Sequence, residues 1–126
     1  MSVAGVVMLT ARDIYERVCA HLLSQRAVSE DDNGSCRLRS PNGHKCAIGS
    51  LVNDEVYHPD IEGTGISYYR HAQDGNLLRA LYASEVNAYD PSIVELLCEL
   101  EQVHDDASVD QWPRLLTALG KRHAFI

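Results

Sequence analysis

The sequence contains one cysteine that the start of a helix could activate as a nucleophile. Cys46 lies where a predicted β-hairpin enters a predicted short helix. Unpaired backbone N–H groups at a helix N-terminus stabilise a thiolate and lower its pKa. His104 and the adjacent Asp105 supply an imidazole and an orienting carboxylate, so the three residues would suit a small cysteine hydrolase or transferase. In the alternative interpretation, Cys46 is a core residue and His104 is a buried histidine whose ring hydrogen-bonds a loop carbonyl.

A metal site is the second chemistry that these residue types suggest. His44 and Cys46 occupy alternate positions, so they would share one face of a strand and reach one ion. The spacing matches no common zinc module, because structural sites normally have two close ligand pairs and Cys36 has no near neighbour of the right type. The ligand types are nevertheless those of zinc, so zinc is the one candidate cofactor, in a metal-stabilised structural module. Its candidate ligands are Cys36, His44, Cys46 and His58.

The cysteines also permit a third interpretation, a disulfide between Cys36 and Cys46. Opposed positions on antiparallel strands can meet the distance limits of a disulfide bond. A reducing cytosol disfavours such a bond. Cys19 and Cys98 lie within apolar helical patterns, which indicates small buried hydrophobic residues. The sequence has no EF-hand, Walker, dinucleotide-binding or G-x-S-x-G motif, which disfavours nucleotide-dependent and serine-hydrolase chemistry.

The segment 36–46 predicts the β-hairpin that would position these side chains. Its centre, Ser40-Pro-Asn-Gly43, is a strong turn sequence, since proline presets one dihedral and Asn-Gly tolerates positive φ. A lone hairpin is only marginally stable, so it must pack on helices. A short helix is predicted from Ala47 to about Glu55. Gly49 within it lowers helix propensity, and the close approach of another backbone would explain its presence.

Apolar periodicity predicts four longer helices. The first runs from about Ala11 to Gln25, and Thr10 and Asp13 match a capping box at its start. Another begins at Pro91, with Asp90 as its N-cap. The remaining two are predicted from Asn76 to Val86, and from a start between Ser108 and Gln111 to a stop at Gly120.

Together these elements predict a mainly α fold in which four to five helices pack around one short β-hairpin. The length of 126 residues suits one domain. We expect this domain at residues 10–126 and an N-terminal extension at residues 1–9. Either Met1 or Met8 could be the biological start, because the first helix signal directly follows Met8.

The charge of the chain favours a basic protein partner over nucleic acid. The net charge is -7 and the pI is about 5.2. Nucleic-acid binding needs clustered Lys and Arg, whereas the 11 basic residues here are scattered. No apolar run has the length of a membrane span, and Ser2 to Leu9 lacks the features of a secretory signal. We therefore expect a cytoplasmic protein that binds neither membranes nor nucleic acid directly.

Several segments together resemble a widespread group of small bacterial and phage proteins. Its members share a pattern like C-x-Y-R-x-x-x-G-x-K-C-A-I-G-x-L-I-x-D-E-x-Y, followed by E-G, H-D and a tryptophan. In this chain Leu38 replaces the aromatic residue and Val52 replaces the last isoleucine. The resemblance covers most of the chain from Thr10 onward. The matching segments are Cys36 to Arg39, Pro41 to Val52, Asp54 to Tyr57, Glu62-Gly63, His104-Asp105 and Trp112.

This resemblance implies no particular activity, but it implies a phage or prophage setting. Small acidic proteins in that setting often act by blocking a host complex. Our leading expectation is therefore a non-enzymatic interaction protein that binds the basic surface of a host protein complex, for example as an anti-CRISPR-like inhibitor of host defence. The cysteine enzyme and the metal-stabilised module remain the two alternatives.

Overall fold

The computed structural model describes residues 7–126, which form a mainly helical domain. Residues 1–6 of the predicted N-terminal extension, including the candidate start Met1, lie outside the described residues. None of the helices between residues 7 and 126 combines the length and the apolar character that crossing a membrane requires. The α-helices of this range are α1 (Ala11–Gln25), α2 (Asn76–Ala83), α3 (Pro91–Asp106) and α4 (Trp112–Arg122), and its 3₁₀ turns are Gly49–Leu51, Pro59–Ile61, Ile66–Arg70 and Val109–Gln111.

Two helix starts follow their predicted capping residues. At α1, the Thr10 hydroxyl accepts a hydrogen bond from the Asp13 amide, and the Asp13 carboxylate accepts one from the Thr10 amide, both at 3.1 Å. At α3, the Asp90 carboxylate accepts from the Ser92 amide at 2.9 Å, and Pro91 is the first helical residue. These side chains satisfy N–H groups that have no partner inside the helix. Both predictions are confirmed.

Two predicted helix ends are wrong. The helix α2 ends at Ala83 instead of Val86, because Glu85 adopts a left-handed φ of 70° and turns the chain away. Gly120 lies inside α4 and does not end it. The reason for this glycine is packing, since a Cβ atom there would collide with the hydroxyl of Tyr15 from α1.

The core surrounds α3, which packs against α1, α4 and the 3₁₀ turn Ile66–Arg70. Burying a side chain the size of leucine or isoleucine stabilises the fold by roughly 1.5–3 kcal/mol. The core therefore fixes where the last turns of α3 lie. The largest fully buried side chains include Trp112, Ile14, Leu22, Ile48, Leu97 and Leu100.

The predicted β-hairpin is wrong, although its turn is present. Residues 7–126 contain isolated antiparallel bridges, Glu30 with Cys36 and Arg39 with Lys45, but no strand. At the turn, the Gly43 amide donates to the Ser40 carbonyl at 3.0 Å, and Gly43 has a φ of 90°.

Side chains satisfy the backbone groups that a hairpin would have paired. The Glu62 carboxylate accepts from the amides of Leu38 and Arg39 at 2.9 and 3.0 Å. The Gln25 side chain accepts from the Lys45 amide at 2.9 Å and donates to the Lys45 carbonyl at 2.8 Å. Since buried backbone groups need partners of some kind, these side chains remove the need for a continuous ladder.

The helix predicted from Ala47 to Glu55 is also wrong, since only the 3₁₀ turn Gly49–Leu51 forms there and Val52 is already extended. The explanation predicted for Gly49 is confirmed. A Cβ atom on Gly49 would overlap the backbone carbonyl of Leu38. The chain can therefore fold back on itself at this point only because residue 49 has no side chain.

Candidate functional site

Four side chains with ligand or catalytic chemistry converge at the C-terminal end of α3. Glu101, His104 and Asp105 are three and four positions apart, so they project from the same side of the helix. Cys36 reaches them from the irregular segment that follows α1. One potential ligand atom from each of the four residues lies within 4.8 Å of all the others.

Hydrogen bonds within the cluster centre on the Cys36 thiol and the His104 ring. Cys36 Sγ lies 3.1 Å from Asp105 Oδ1, 3.7 Å from Glu101 Oε2 and 4.0 Å from His104 Nδ1. His104 Nδ1 lies 2.7 Å from Asp105 Oδ1 and 3.3 Å from Glu101 Oε2. The second Glu101 oxygen accepts from the Ile48 amide at 3.0 Å, which fixes the orientation of this carboxylate.

The two sides of the His104 ring have different partners. The Ser29 amide donates to Nε2 at 2.9 Å, so Nε2 must present a lone pair. The ring proton therefore belongs on Nδ1, where it is donated to Asp105. The ring is buried and stacks on Trp112 with 5.6 Å between ring centroids. The ring thus connects the segment after α1 to α3. His104 is buried, as the alternative interpretation expected, but its partner in the loop is a backbone amide and not a carbonyl.

Opposing influences act on the protonation of His104. Burial lowers its pKa, whereas hydrogen bonds with Asp105, Cys36 and Glu101 raise it. The Ser29 amide opposes protonation, because a second ring proton on Nε2 would face its N–H group. This contact favours the neutral ring with its proton on Nδ1.

The two cysteines of this region have contrasting environments. Cys36 is exposed, and its pKa is lowered, chiefly by a hydrogen bond with Cys46, although burial of its sulfur opposes the shift. Cys46 is buried, and burial raises its pKa well above the usual value. Its sulfur accepts from the Gly49 amide at 3.3 Å. The lower pKa therefore belongs to the Cys36 thiol, whereas the sequence pointed to Cys46.

Cys36, Glu101 and Asp105 of the cluster line a pocket of about 430 Å³. The segment from Glu62 to Ile66 lines the same pocket. Glu62 is held there by the two backbone amides already described and by the Tyr57 hydroxyl, which donates to it at 2.7 Å. Gly63 has a φ of 89°, a conformation that side-chain-bearing residues rarely adopt. These hydrogen bonds therefore fix the Glu62 end of this part of the pocket lining.

The structure brings together some of the predicted site residues and separates others. Of the predicted catalytic set, His104 and Asp105 are in contact, and the thiol that hydrogen-bonds them is that of Cys36. Cys46 N donates to the Leu38 carbonyl at 3.3 Å, so Leu38 is opposite Cys46 and the register expected for a Cys36–Cys46 disulfide is not formed. Both cysteines are free thiols.

The predicted metal ligands do not assemble as a set. Among residues 7–126, the group of side chains within ligand distance of one another contains Cys36 but lacks His44, Cys46 and His58. His58 is exposed, and its Nδ1 accepts from the Asp60 amide at 3.2 Å. His44 has a buried Nδ1 without a hydrogen-bond partner in the described range. Glu101 was missed, although its three-residue spacing from His104 is a signal that could have identified it.

Acidic residues of two segments that are distant in sequence are linked through Cys36. Glu30 forms a backbone bridge with Cys36, and Asp32 follows in the same loop. Asp105, whose carboxylate contacts the Cys36 thiol, and Asp106 end α3. In the part of the chain that the structure describes, the ion pairs of Arg and Lys involve none of these four carboxylates. We call Glu30, Asp32, Asp105 and Asp106 the acidic face.

Comparisons with known proteins assign neither a family nor a function. No protein-family model matches the chain, and no curated protein or solved structure shows significant similarity to it. The resemblance to small bacterial and phage proteins therefore stays a prediction from the motif residues. Any functional proposal depends on the geometry of this site.

Proposed function

We propose that this chain is a non-enzymatic interaction protein of phage or prophage type, which binds the basic surface of a host protein complex through the acidic face. Inhibition of host defence, in the manner of an anti-CRISPR protein, is the role that we assign to this binding. The observation that carries the proposal is that Cys36 links two acidic segments, 30–32 and 105–106, through its backbone bridge with Glu30 and its contact with Asp105. The contacts of Ser29 with His104 and of Cys36 with Asp105 hold the segments together.

The charge distribution supports this proposal. The chain has a net charge of -7, and the acidic face adds carboxylates without Arg or Lys partners among residues 7–126. The C-terminal end of α3 adds the negative end of its helix dipole. Such a field attracts a basic surface during encounter and repels nucleic acid.

The hydrogen bonds of His104 favour this proposal over the cysteine-enzyme alternative. A catalytic histidine uses one ring nitrogen to deprotonate the nucleophile and the other to contact an orienting group. Here one nitrogen faces both Cys36 and Asp105, while Ser29 occupies the other. Cys46, the nucleophile expected from the sequence, is buried with a raised pKa, which disfavours its thiolate.

Charge reversal on the acidic face tests the proposal. The test variant combines Glu30→Lys, Asp32→Lys and Asp106→Lys, all at exposed positions. The matched control changes the net charge equally at exposed residues outside the face. It combines Glu16→Lys, Glu55→Lys and Glu85→Lys.

Each protein is immobilised and exposed to bacterial host lysate at low salt, and retained proteins are identified by mass spectrometry. Wild type and control should retain the same basic partner, the test variant should lose it, and added salt should weaken retention because exposed charges are screened. The proposal fails if wild type retains no partner at low salt, or if the test variant retains the same partner as wild type.

A further inference from the structure

The cluster at the end of α3 has the donor chemistry of a transition-metal site. It combines one thiol, one imidazole and two carboxylates, with ligand atoms within 4.8 Å of one another. Sulfur ligands favour zinc-like ions over magnesium or calcium, which take oxygen ligands. The group differs from the sequence-predicted ligand set, with which it shares only Cys36.

Neither carboxylate of the cluster has a lysine or arginine partner among the described residues. Glu101 and Asp105 form hydrogen bonds with Cys36, His104 and the Ile48 amide. Within residues 7–126, neither carboxylate pairs with Arg or Lys. Glu101 is also buried, and a buried carboxylate is costly to keep charged without a cation or a set of donors. A divalent ion between these groups would supply the missing positive charge.

A hydrogen-bond donor already orients each of the two carboxylates. The Ile48 amide holds one oxygen of Glu101 and leaves the other directed at Cys36. His104 donates its Nδ1 proton to Asp105, because Ser29 occupies Nε2. A nitrogen that carries a proton cannot bind a metal ion at the same time. His104 therefore has the position of an outer residue that orients a ligand, a recurring arrangement in metal sites.

We propose that Cys36, Glu101 and Asp105 bind one divalent ion of the zinc class, and that His104 is a positioning residue that holds Asp105. Binding replaces the S–H bond of Cys36 with a sulfur–metal bond and releases the thiol proton to solvent. The remaining coordination position faces the pocket, where water can occupy it. This inference goes beyond the proposed function, because it concerns a ligand that the isolated chain would bind without a protein partner.

Cobalt titration of the reduced, chelator-stripped full chain tests the site. Co²⁺ occupies zinc sites, and a bond between Co²⁺ and a thiolate gives a charge-transfer absorption band in the near ultraviolet. We expect saturable binding of a single ion that shows this band, and displacement of Co²⁺ by Zn²⁺. Circular dichroism establishes that each variant is folded before titration.

The variants separate ligands from neighbouring residues of the same type. Cys36→Ser should abolish the band, and Asp105→Asn should weaken Co²⁺ binding by more than about tenfold. The matched controls Cys19→Ser and Asp106→Asn should leave the band and the affinity for Co²⁺ unchanged. His104→Gln should weaken binding by about 10- to 100-fold but leave the visible ligand-field absorption of bound Co²⁺ unchanged at saturation, since an outer residue is not bonded to the ion.

Several results would overturn the proposal. A folded wild-type chain that binds neither Co²⁺ nor Zn²⁺ saturably refutes the site, as does a band that survives Cys36→Ser. Equal weakening by Asp106→Asn and Asp105→Asn would indicate general attraction to an acidic surface. A changed visible ligand-field spectrum in cobalt-saturated His104→Gln would make His104 a ligand and refute its positioning role. Because the titration uses the isolated chain, its failure is distinguishable from failure of the partner-binding proposal.

Discussion

The helical frame and the irregular segment from residue 26 to 75 satisfy their backbones in different ways. In α1 and α3, backbone hydrogen bonds within the helix supply most partners, and short polar side chains cap the ends. In the irregular segment, the side chains of Gln25, Ser29 and Glu62 accept or donate the bonds that a sheet would provide. The frame therefore depends on many equivalent local bonds, whereas the irregular segment depends on a few individual residues.

The largest expected effect comes from the closest backbone contact in the irregular segment. Gly49→Ala would place a methyl group where the Leu38 carbonyl lies, and backbone cannot move aside as a flexible side chain can. We expect a loss of at least about 3 kcal/mol in the free energy of unfolding, measured by urea denaturation. Gly65→Ala is the control, because residue 65 has a negative φ and open space, and it should change stability little. Equal effects of the two substitutions would contradict the proposed packing.

The second effect tests whether Glu62 replaces a strand. Glu62→Ala leaves the Leu38 and Arg39 amides and the Tyr57 hydroxyl without their acceptor. We expect a loss of about 2 kcal/mol in unfolding free energy, because unpaired buried donors are costly. Glu95→Ala, at an exposed carboxylate paired with Arg70, should lose less than about 1 kcal/mol. Faster amide hydrogen exchange at residues 38 and 39 in Glu62→Ala would locate the effect, and unchanged exchange there would argue against it.

A smaller effect is expected where the helical frame relies on a cap. Thr10→Ala removes the hydroxyl that accepts from the Asp13 amide. The expected loss is about 1 kcal/mol, typical of an N-cap. Thr10→Ser retains the hydroxyl and should recover most of this stability in the same denaturation experiment. If Thr10→Ala cost as much as Gly49→Ala, the contrast between the two regions would be wrong.

The smallest effect is a change in pH dependence at the cap of α3. Hydrogen bonds from Ser92 lower the pKa of Asp90 below its usual value. A carboxyl whose pKa falls on folding adds stability above its unfolded pKa, near 4, and that stability is lost as pH falls through the lower folded pKa. Asp90→Asn keeps a capping oxygen but cannot titrate, so it should match wild type closely at pH 7 and lose less stability between about pH 5 and 2. Parallel acid-denaturation curves for the two proteins would contradict this assignment.

The parts of the fold that depend on neighbouring residues in sequence could be predicted. The bounds of α1, the Asp90 cap and the turn at Gly43 all follow from short-range patterns. The hairpin failed as a prediction because the acceptor for the Leu38 and Arg39 amides is Glu62, which is distant in sequence. The sequence of residues 36–46 does not indicate that a distant carboxylate would accept hydrogen bonds from these amides.

In the candidate site, too, only the contact between neighbouring residues could be predicted. The contact between His104 and Asp105 follows from their adjacency on α3. The choice between Cys36 and Cys46 depends on the path of the chain from Ser29 to Cys36, which tertiary contacts determine. Burial then separates the two thiols, and burial is a property of the whole fold.

The Glu62 carboxylate has a further consequence for the behaviour of the chain in concentrated solution. Extended backbone with unpaired donors invites a strand from another molecule, and such pairing starts aggregation. By occupying the amides of residues 38 and 39, this carboxylate removes that template. A single acidic side chain thus withholds two backbone donors from other molecules as well as shaping the interior of the protein.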